Sequence, residues 1–143
     1  MAYKANTVLA VIPARGGSKR IPNKNLHKIK GVSLVGHAAI IAKSLSWIDK
    51  IILSTDDEKI AEEGHLYGID VPFMRPPELA TDTSTSVAMW KHAWLSAEKN
   101  YNVHFDISVL LEPTSPLRIP EDIELTVKTL ITNSCSAAVT VSK

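Results

Sequence analysis

The sequence carries a single cysteine, and its first 48 residues contain no acid. One cysteine excludes an internal disulfide, and Cys135 lacks the Cys/His company of a metal site, so it reads as a small, inert side chain. No apolar run approaches the roughly 18 residues of a membrane span. The apolar start, "MAYKANTVLAVIPARGG", passes into a basic loop and not into a small-residue cleavage site, so it reads as a strand and not a leader. Repeats, low-complexity tracts and linkers are missing too. The 143 residues, 45% of them hydrophobic, match one ordinary domain with one sizeable core.

What is present is an uneven charge. Eight bases and no acid precede Asp49; eight bases and fifteen acids follow Trp47 and Ile48. Arg15, Lys19, Arg20 and Lys24 fall within ten positions. A nucleic-acid binder spreads its basic excess over a whole face, with aromatics or a recognition helix. A single basic loop fits a local anionic ligand better. No nucleic acid and no membrane is expected as a partner, and the whole fits a cytoplasmic enzyme.

Five apolar runs read as strands: residues 7–13, 50–55, 71–74, 107–111 and 137–141. The first is apolar on both faces, as in a parallel sheet. Helical spacing separates them. Leu34, Ala38, Ile41 and Leu45 share one face, as do Val87, Trp90, Trp94 and Ala97, and Ile123, Val127, Leu130 and Ile131. A shorter helix over 57–67 stops at Gly68. This alternation predicts an α/β fold, a three-layer Rossmann-like domain with a mostly parallel sheet. Ligands then sit at the carboxyl ends of the strands, at residues 14–30, 56–57, 75–85 and 112–119.

Each of these segments has a plain structural reading beside a functional one. In "VIPARGGSKRIPNKN", Gly16 and Gly17 permit unusual dihedrals and close approach of a ligand, and successive amides can cradle phosphate. Ser18 can donate, the bases can neutralise a polyphosphate, and Asn25 offers both a donor and an acceptor. The alternative is a solvated basic loop. The residue order excludes a Walker A loop, and no third glycine makes a dinucleotide fingerprint. "ATDTSTS" can be a helix start capped by Asp82 or Thr83, with free amides able to read a pyrimidine edge. "EPTSPLR" can be a rigid connector or a binding turn. Asp56 and Asp57 read as an N-cap with a first-turn acid. The five histidines form no motif, and Trp90 and Trp94 read as core.

The loop "IPARGGSKRIPNKN" resembles the signature loop of the acylneuraminate cytidylyltransferases, the CMP-N-acetylneuraminic acid synthetase family. "ILSTDDEKIAEEGHLYG", "RPPELATDTSTS" and "LLEPTSPLR" resemble further segments of that family, in the same order. The resemblance implies a nucleotide-diphospho-sugar transferase type of fold. It also implies transfer of a cytidylyl group from CTP to a sialic-acid-like sugar, with release of pyrophosphate and use of Mg²⁺. Arg15 and Lys24 would be catalytic, nearest the α-phosphate. Ala14, Gly16, Gly17, Ser18, Lys19 and Asn25 would serve the triphosphate, and Arg75, Ser84, Thr85 and Ser86 the cytosine and ribose. Glu112, Thr114, Ser115 and Arg118 would meet the sugar.

The family has glutamine where this chain has Glu112. A carboxylate there can accept from sugar hydroxyls or help hold Mg²⁺, but it repels the sugar's own carboxylate. Legionaminic, pseudaminic and Kdo-like acids therefore stand as alternative sugars. The resemblance also implies that residues 1–143 form one nucleotidyltransferase domain lacking its C-terminal part, where the acidic metal ligands and the arm exchanged in a homodimer lie. A catalytically incomplete nucleotide-binding fragment is the reading from another class.

Overall fold

The computed structural model describes residues 6–16, 24–81, 83–113 and 120–132. The expected strand at 137–141 and Cys135 lie outside them. The centre of the fold is β1 (Val8–Pro13), whose residues Val8 to Ile12 are all fully buried. A strand apolar on both faces must be covered on both faces, and this one is. Val8, Ala10 and Ile12 pack with α1 (Leu34–Ser44), α2 (Glu58–Leu66) and α4 (Pro120–Thr132). Leu9 and Val11 pack against α3 (Ser86–Tyr101) through Met89, Ala93 and Ala97. The result is three layers. Each fully buried Leu or Ile of the sheet contributes about 1.5–3 kcal/mol by leaving water.

β1 runs parallel to β4 (Lys50–Ser54) on one side and to β5 (Ile107–Leu110) on the other. The chain leaves β1 through α1 to β4 and returns through α3 to β5, so the order reverses between β1 and β5. The crevice at the carboxyl ends of strands, where the order reverses, is where open α/β sheets hold ligands.

Local signals account for most boundaries. Ser33 caps α1, accepting from the Gly36 amide at 2.9 Å, and Asp57 caps α2, accepting from the amides of Lys59 and Ile60. Gly68 takes a φ of +74° just past α2, where the 57–67 helix is expected to stop.

Three expectations need correction. Residues 71–74 form no strand; only Asp70 bridges to Ile52. Pro72 has no N–H for a ladder, and the Arg75 amide turns back to the Thr55 carbonyl at 2.7 Å. Val87 is 74% exposed, because the buried stripe of α3 runs through Met89, Ala93 and Ala97, with Trp90 and Trp94 only partly covered. A small hairpin was not anticipated: β2 (Lys28–Ile29) pairs antiparallel with β3 (Val32–Ser33). Its turn residues Lys30 and Gly31 both have positive φ, the requirement of a two-residue hairpin turn whose twist matches the strands.

Candidate active site

The reversal point between β1 and β5 opens into a cleft of about 260 Å³. Arg15 and Lys24 line one part of it, Thr85 and Ser86 another, and Glu112 and Pro113 a third. These residues come from three distant parts of the chain and meet because each follows a strand or begins a helix at the same edge of the sheet. Arg75 and Ser84 also line the cleft. Gly17, Ser18, Lys19, Thr114, Ser115 and Arg118 lie outside the described residues.

Asn25 sits in a 3₁₀ turn (Lys24–Leu26) and is buried. Its Nδ2 donates to the Arg15 carbonyl at 2.9 Å, so it ties the returning chain to the start of the basic loop. Ala14 belongs to the core cluster, and its amide donates to the Ser54 carbonyl at 2.9 Å. That bond extends the β1–β4 ladder by one residue beyond Pro13.

Gly16 is a glycine for a different reason than expected. Its φ is not positive; a Cβ there would lie 2.5 Å from Asp57 Oδ2. Close packing, not an unusual dihedral, demands glycine. Its amide donates to Asp56 Oδ1 at 2.9 Å. Asp57 behaves as the expected cap. Asp56 does more, because it joins the end of β4 to the basic loop.

Arg75 is buried, and its guanidinium is built into the wall. Nε donates to Ser54 Oγ at 3.0 Å, Nη2 to the Ser54 carbonyl at 2.8 Å and Nη1 to the Leu79 carbonyl at 3.3 Å. Burial pushes this group below its ordinary pKa; Arg15 adds to the push and Asp56 opposes it. Arginine stays charged through such shifts. Among the described residues the cleft is lined by Arg15, Lys24 and Arg75 against one carboxylate, Glu112.

The hydroxyl-rich segment divides its labour. Ser84 Oγ accepts from the Thr81 amide at 3.0 Å and donates to the Glu78 carbonyl at 3.0 Å, closing the loop on itself. Thr85 caps α3, its Oγ1 accepting from the Ala88 amide at 3.0 Å. The cap thus falls later than the expected Asp82 or Thr83. Thr83 stays within the closed loop, where its hydroxyl meets Thr81 Oγ1 at 3.2 Å.

Among the described residues no three His, Cys, Asp or Glu side chains form a group able to hold a metal. Mg²⁺ is usually held by one or two carboxylates completed by substrate phosphates. Glu112, exposed at the cleft, fits that pattern as one donor. None of the five histidines lines the cleft. Sequence reasoning passed over Leu79, Thr81 and Met89 as cleft residues and Ser54 as an anchor. The usable signal was the polar run Ser54 to Asp57 at a strand's carboxyl end. No helix among the described residues is long and apolar enough to cross a membrane.

Residues 9–140 match the profile of the Cytidylyltransferase family. The chain belongs to that family. The CMP-N,N'-diacetyllegionaminic acid synthase of Legionella pneumophila is 44% identical over 116 residues, which cover 81% of this chain and 50% of that protein. The N-acylneuraminate cytidylyltransferase of Escherichia coli is 38% identical over 111 residues, 78% of this chain and 25% of that protein. The structure of a CMP:2-keto-3-deoxy-manno-octonic acid synthetase complexed with CTP superposes with a TM-score of 0.74 at 23% identity, covering 90% of this chain and 49% of that one. At that identity the likeness shows the fold. This cytidylyltransferase-family chain spans about half the length of the first of these relatives.

Proposed function

We propose that the cleft binds CTP and serves transfer of its cytidylyl group to a nine-carbon acidic sugar. The observation that carries this reading is the meeting of Arg15 and Lys24 with the first turn of α3 across one cleft at the sheet's reversal point. Two basic side chains suit a triphosphate, and the start of a helix offers amides and hydroxyls to a pyrimidine edge. The named activities of the relatives support the same choice of nucleotide and sugar class.

In this reading the sugar hydroxyl attacks the α-phosphorus of CTP. The bond to the β-phosphate oxygen breaks, pyrophosphate leaves with that electron pair, and the hydroxyl proton passes to water. Such transfers depend on positioning and charge stabilisation more than on covalent help. Arg15 and Lys24 hold the negative charge that develops on the phosphate oxygens. We assign Gly17, Ser18 and Lys19 to the triphosphate as well. Ser86 and the Thr85 turn face the cytidine, and Arg75 anchors the wall behind them. We assign Glu112 to the acceptor sugar, together with Thr114, Ser115 and Arg118; its carboxylate would accept from sugar hydroxyls or help hold Mg²⁺. The ion, when bound, neutralises charge on the leaving pyrophosphate.

Two assays test this. Calorimetry on the chain should show CTP binding in preference to ATP, weakened in Lys24→Ala. Pyrophosphate release should be followed from CTP and Mg²⁺ with N,N'-diacetyllegionaminic acid beside N-acetylneuraminic acid. Binding of no nucleotide, or of ATP as well as CTP, overturns the reading.

A further inference from the structure

We infer that Asp56 is a positioning residue for the triphosphate: its carboxylate seats the Gly16 amide and so fixes the direction in which the adjoining Arg15 enters the cleft. The inference rests on the nucleotide reading above and adds to it a residue that touches no substrate.

The geometry is specific. Asp56 follows β4, whose last residue Ser54 pairs with Pro13, so it stands directly beside the end of β1. Its Oδ1 takes the Gly16 amide at 2.9 Å. Asp57 blocks the other side: a Cβ on Gly16 would meet Asp57 Oδ2, Cβ and Cγ at 2.5–3.0 Å. Asp57 cannot easily yield, because the same side chain caps α2. Gly16 is thus held by a hydrogen bond from its amide to Asp56, and Asp57 leaves no room for a side chain on it. On its far side, the Arg15 carbonyl is held by Asn25. Arg15 therefore sits between two fixed points.

An exposed carboxylate beside a basic loop is otherwise hard to place. Electrostatics alone gives it the wrong sign, since it repels an incoming triphosphate. A charged acceptor for a backbone amide is a stronger tether than a neutral one, which accounts for an acid at this position.

The two roles predict opposite outcomes. If Asp56 acts only through charge, Asp56→Ala and Asp56→Asn both tighten CTP binding. If it positions the loop, Asp56→Ala weakens CTP binding about tenfold, the loss of one charge-assisted hydrogen bond. Asp56→Asn keeps an acceptor oxygen but loses its charge, and weakens CTP binding by less than Asp56→Ala does. Cytidine, which has no phosphates, should bind all three proteins alike; a general structural defect would weaken it too. Gly16→Ala pushes on the same seat and should repeat the Asp56→Ala pattern, so the inference remains testable should Asp56→Ala fold poorly. Failure of the original protein to bind CTP overturns the nucleotide reading and this inference with it. CTP bound by the original protein, and equally well by Asp56→Ala and Gly16→Ala, overturns this inference alone.

Discussion

The side-chain amide of Asn25 donates to the backbone carbonyl of Arg15 across ten residues of chain, at 2.9 Å, from a buried position. This hydrogen bond helps to close the basic loop at its base. Asn25→Ala should lower stability by about 1–3 kcal/mol, because it leaves the Arg15 carbonyl without that donor. Asn25→Asp should be worse, since a carboxylate facing a carbonyl has nothing to donate. Denaturant unfolding reads both effects. An alanine variant as stable as the original would remove Asn25 from this account.

Arg75 makes a second, different prediction. Its planar fork reaches both oxygens of Ser54 and the Leu79 carbonyl at once. A lysine carries the same charge as a single point and cannot span that set. Arg75→Lys should cost on the order of 2–3 kcal/mol in unfolding free energy through the lost charge-assisted bonds. It should also weaken CTP binding, because the Leu79 to Ser86 wall hangs from this anchor. Unchanged unfolding with weakened CTP binding would instead make Arg75 a ligand contact and no anchor.

The parts of the fold legible in the sequence are those in which one strand or helix explains itself. Val8 to Ile12 is apolar at every position because it is covered on both faces, and such a run can be little else. Asp57 and Gly68 carry their own local geometry as cap and stop. What escaped reading depends on partners far away in the chain. Arg75 is bound to Ser54, 21 residues earlier, and Asp56 to Gly16, 40 residues earlier. In "ATDTSTS" three residue types can cap a helix, and only the closure of Ser84 onto Glu78 and Thr81 decides that Thr85 does so. The Lys30–Gly31 turn was hidden inside a basic stretch whose charge drew the reading toward ligand binding.

Gly36 separates stability from function. A Cβ at this position would approach the Tyr67 ring to 2.6–2.8 Å and Val32 Cγ1 to 2.8 Å. Overpacking of this kind typically costs about 1–3 kcal/mol, against a gain of about 1 kcal/mol for alanine over glycine in a helix. Gly36→Ala should therefore be mildly to clearly destabilising, with CTP affinity unchanged. In a Tyr67→Ala background the clash with the ring is gone and the penalty should shrink. A full penalty in both backgrounds would place the strain on Val32.

Asp70 ties the opposite end of the domain and sets an acid-pH prediction. Lys50 Nζ lies 2.9 Å from Asp70 Oδ2 and 4.4 Å from the centre of the Tyr101 ring, and the Tyr101 hydroxyl donates to the same carboxylate at 2.8 Å. Hydrogen bonds from Lys50 and Tyr101 hold the Asp70 carboxyl below its ordinary value, with burial opposing them. Burial first, and then Asp70, push the Tyr101 phenol above its own. A carboxyl lowered by folding adds stability that is complete above the ordinary carboxylate value of about 4 and is lost as pH falls through the lower, folded value. Asp70→Asn removes that component. The difference in melting temperature between the original protein and Asp70→Asn should therefore be constant near neutrality and shrink below about pH 4. The two side chains of the ion pair are 38% and 50% exposed. Solvent screening thus limits the pair to at most about 1 kcal/mol, and added salt should reduce it further. CTP affinity should not change, because Tyr101 ends the helix whose first turn, at Ser86, lines the cleft. A difference that persists undiminished at pH 2.5 would mean that Asp70 acts through packing and not through its charge.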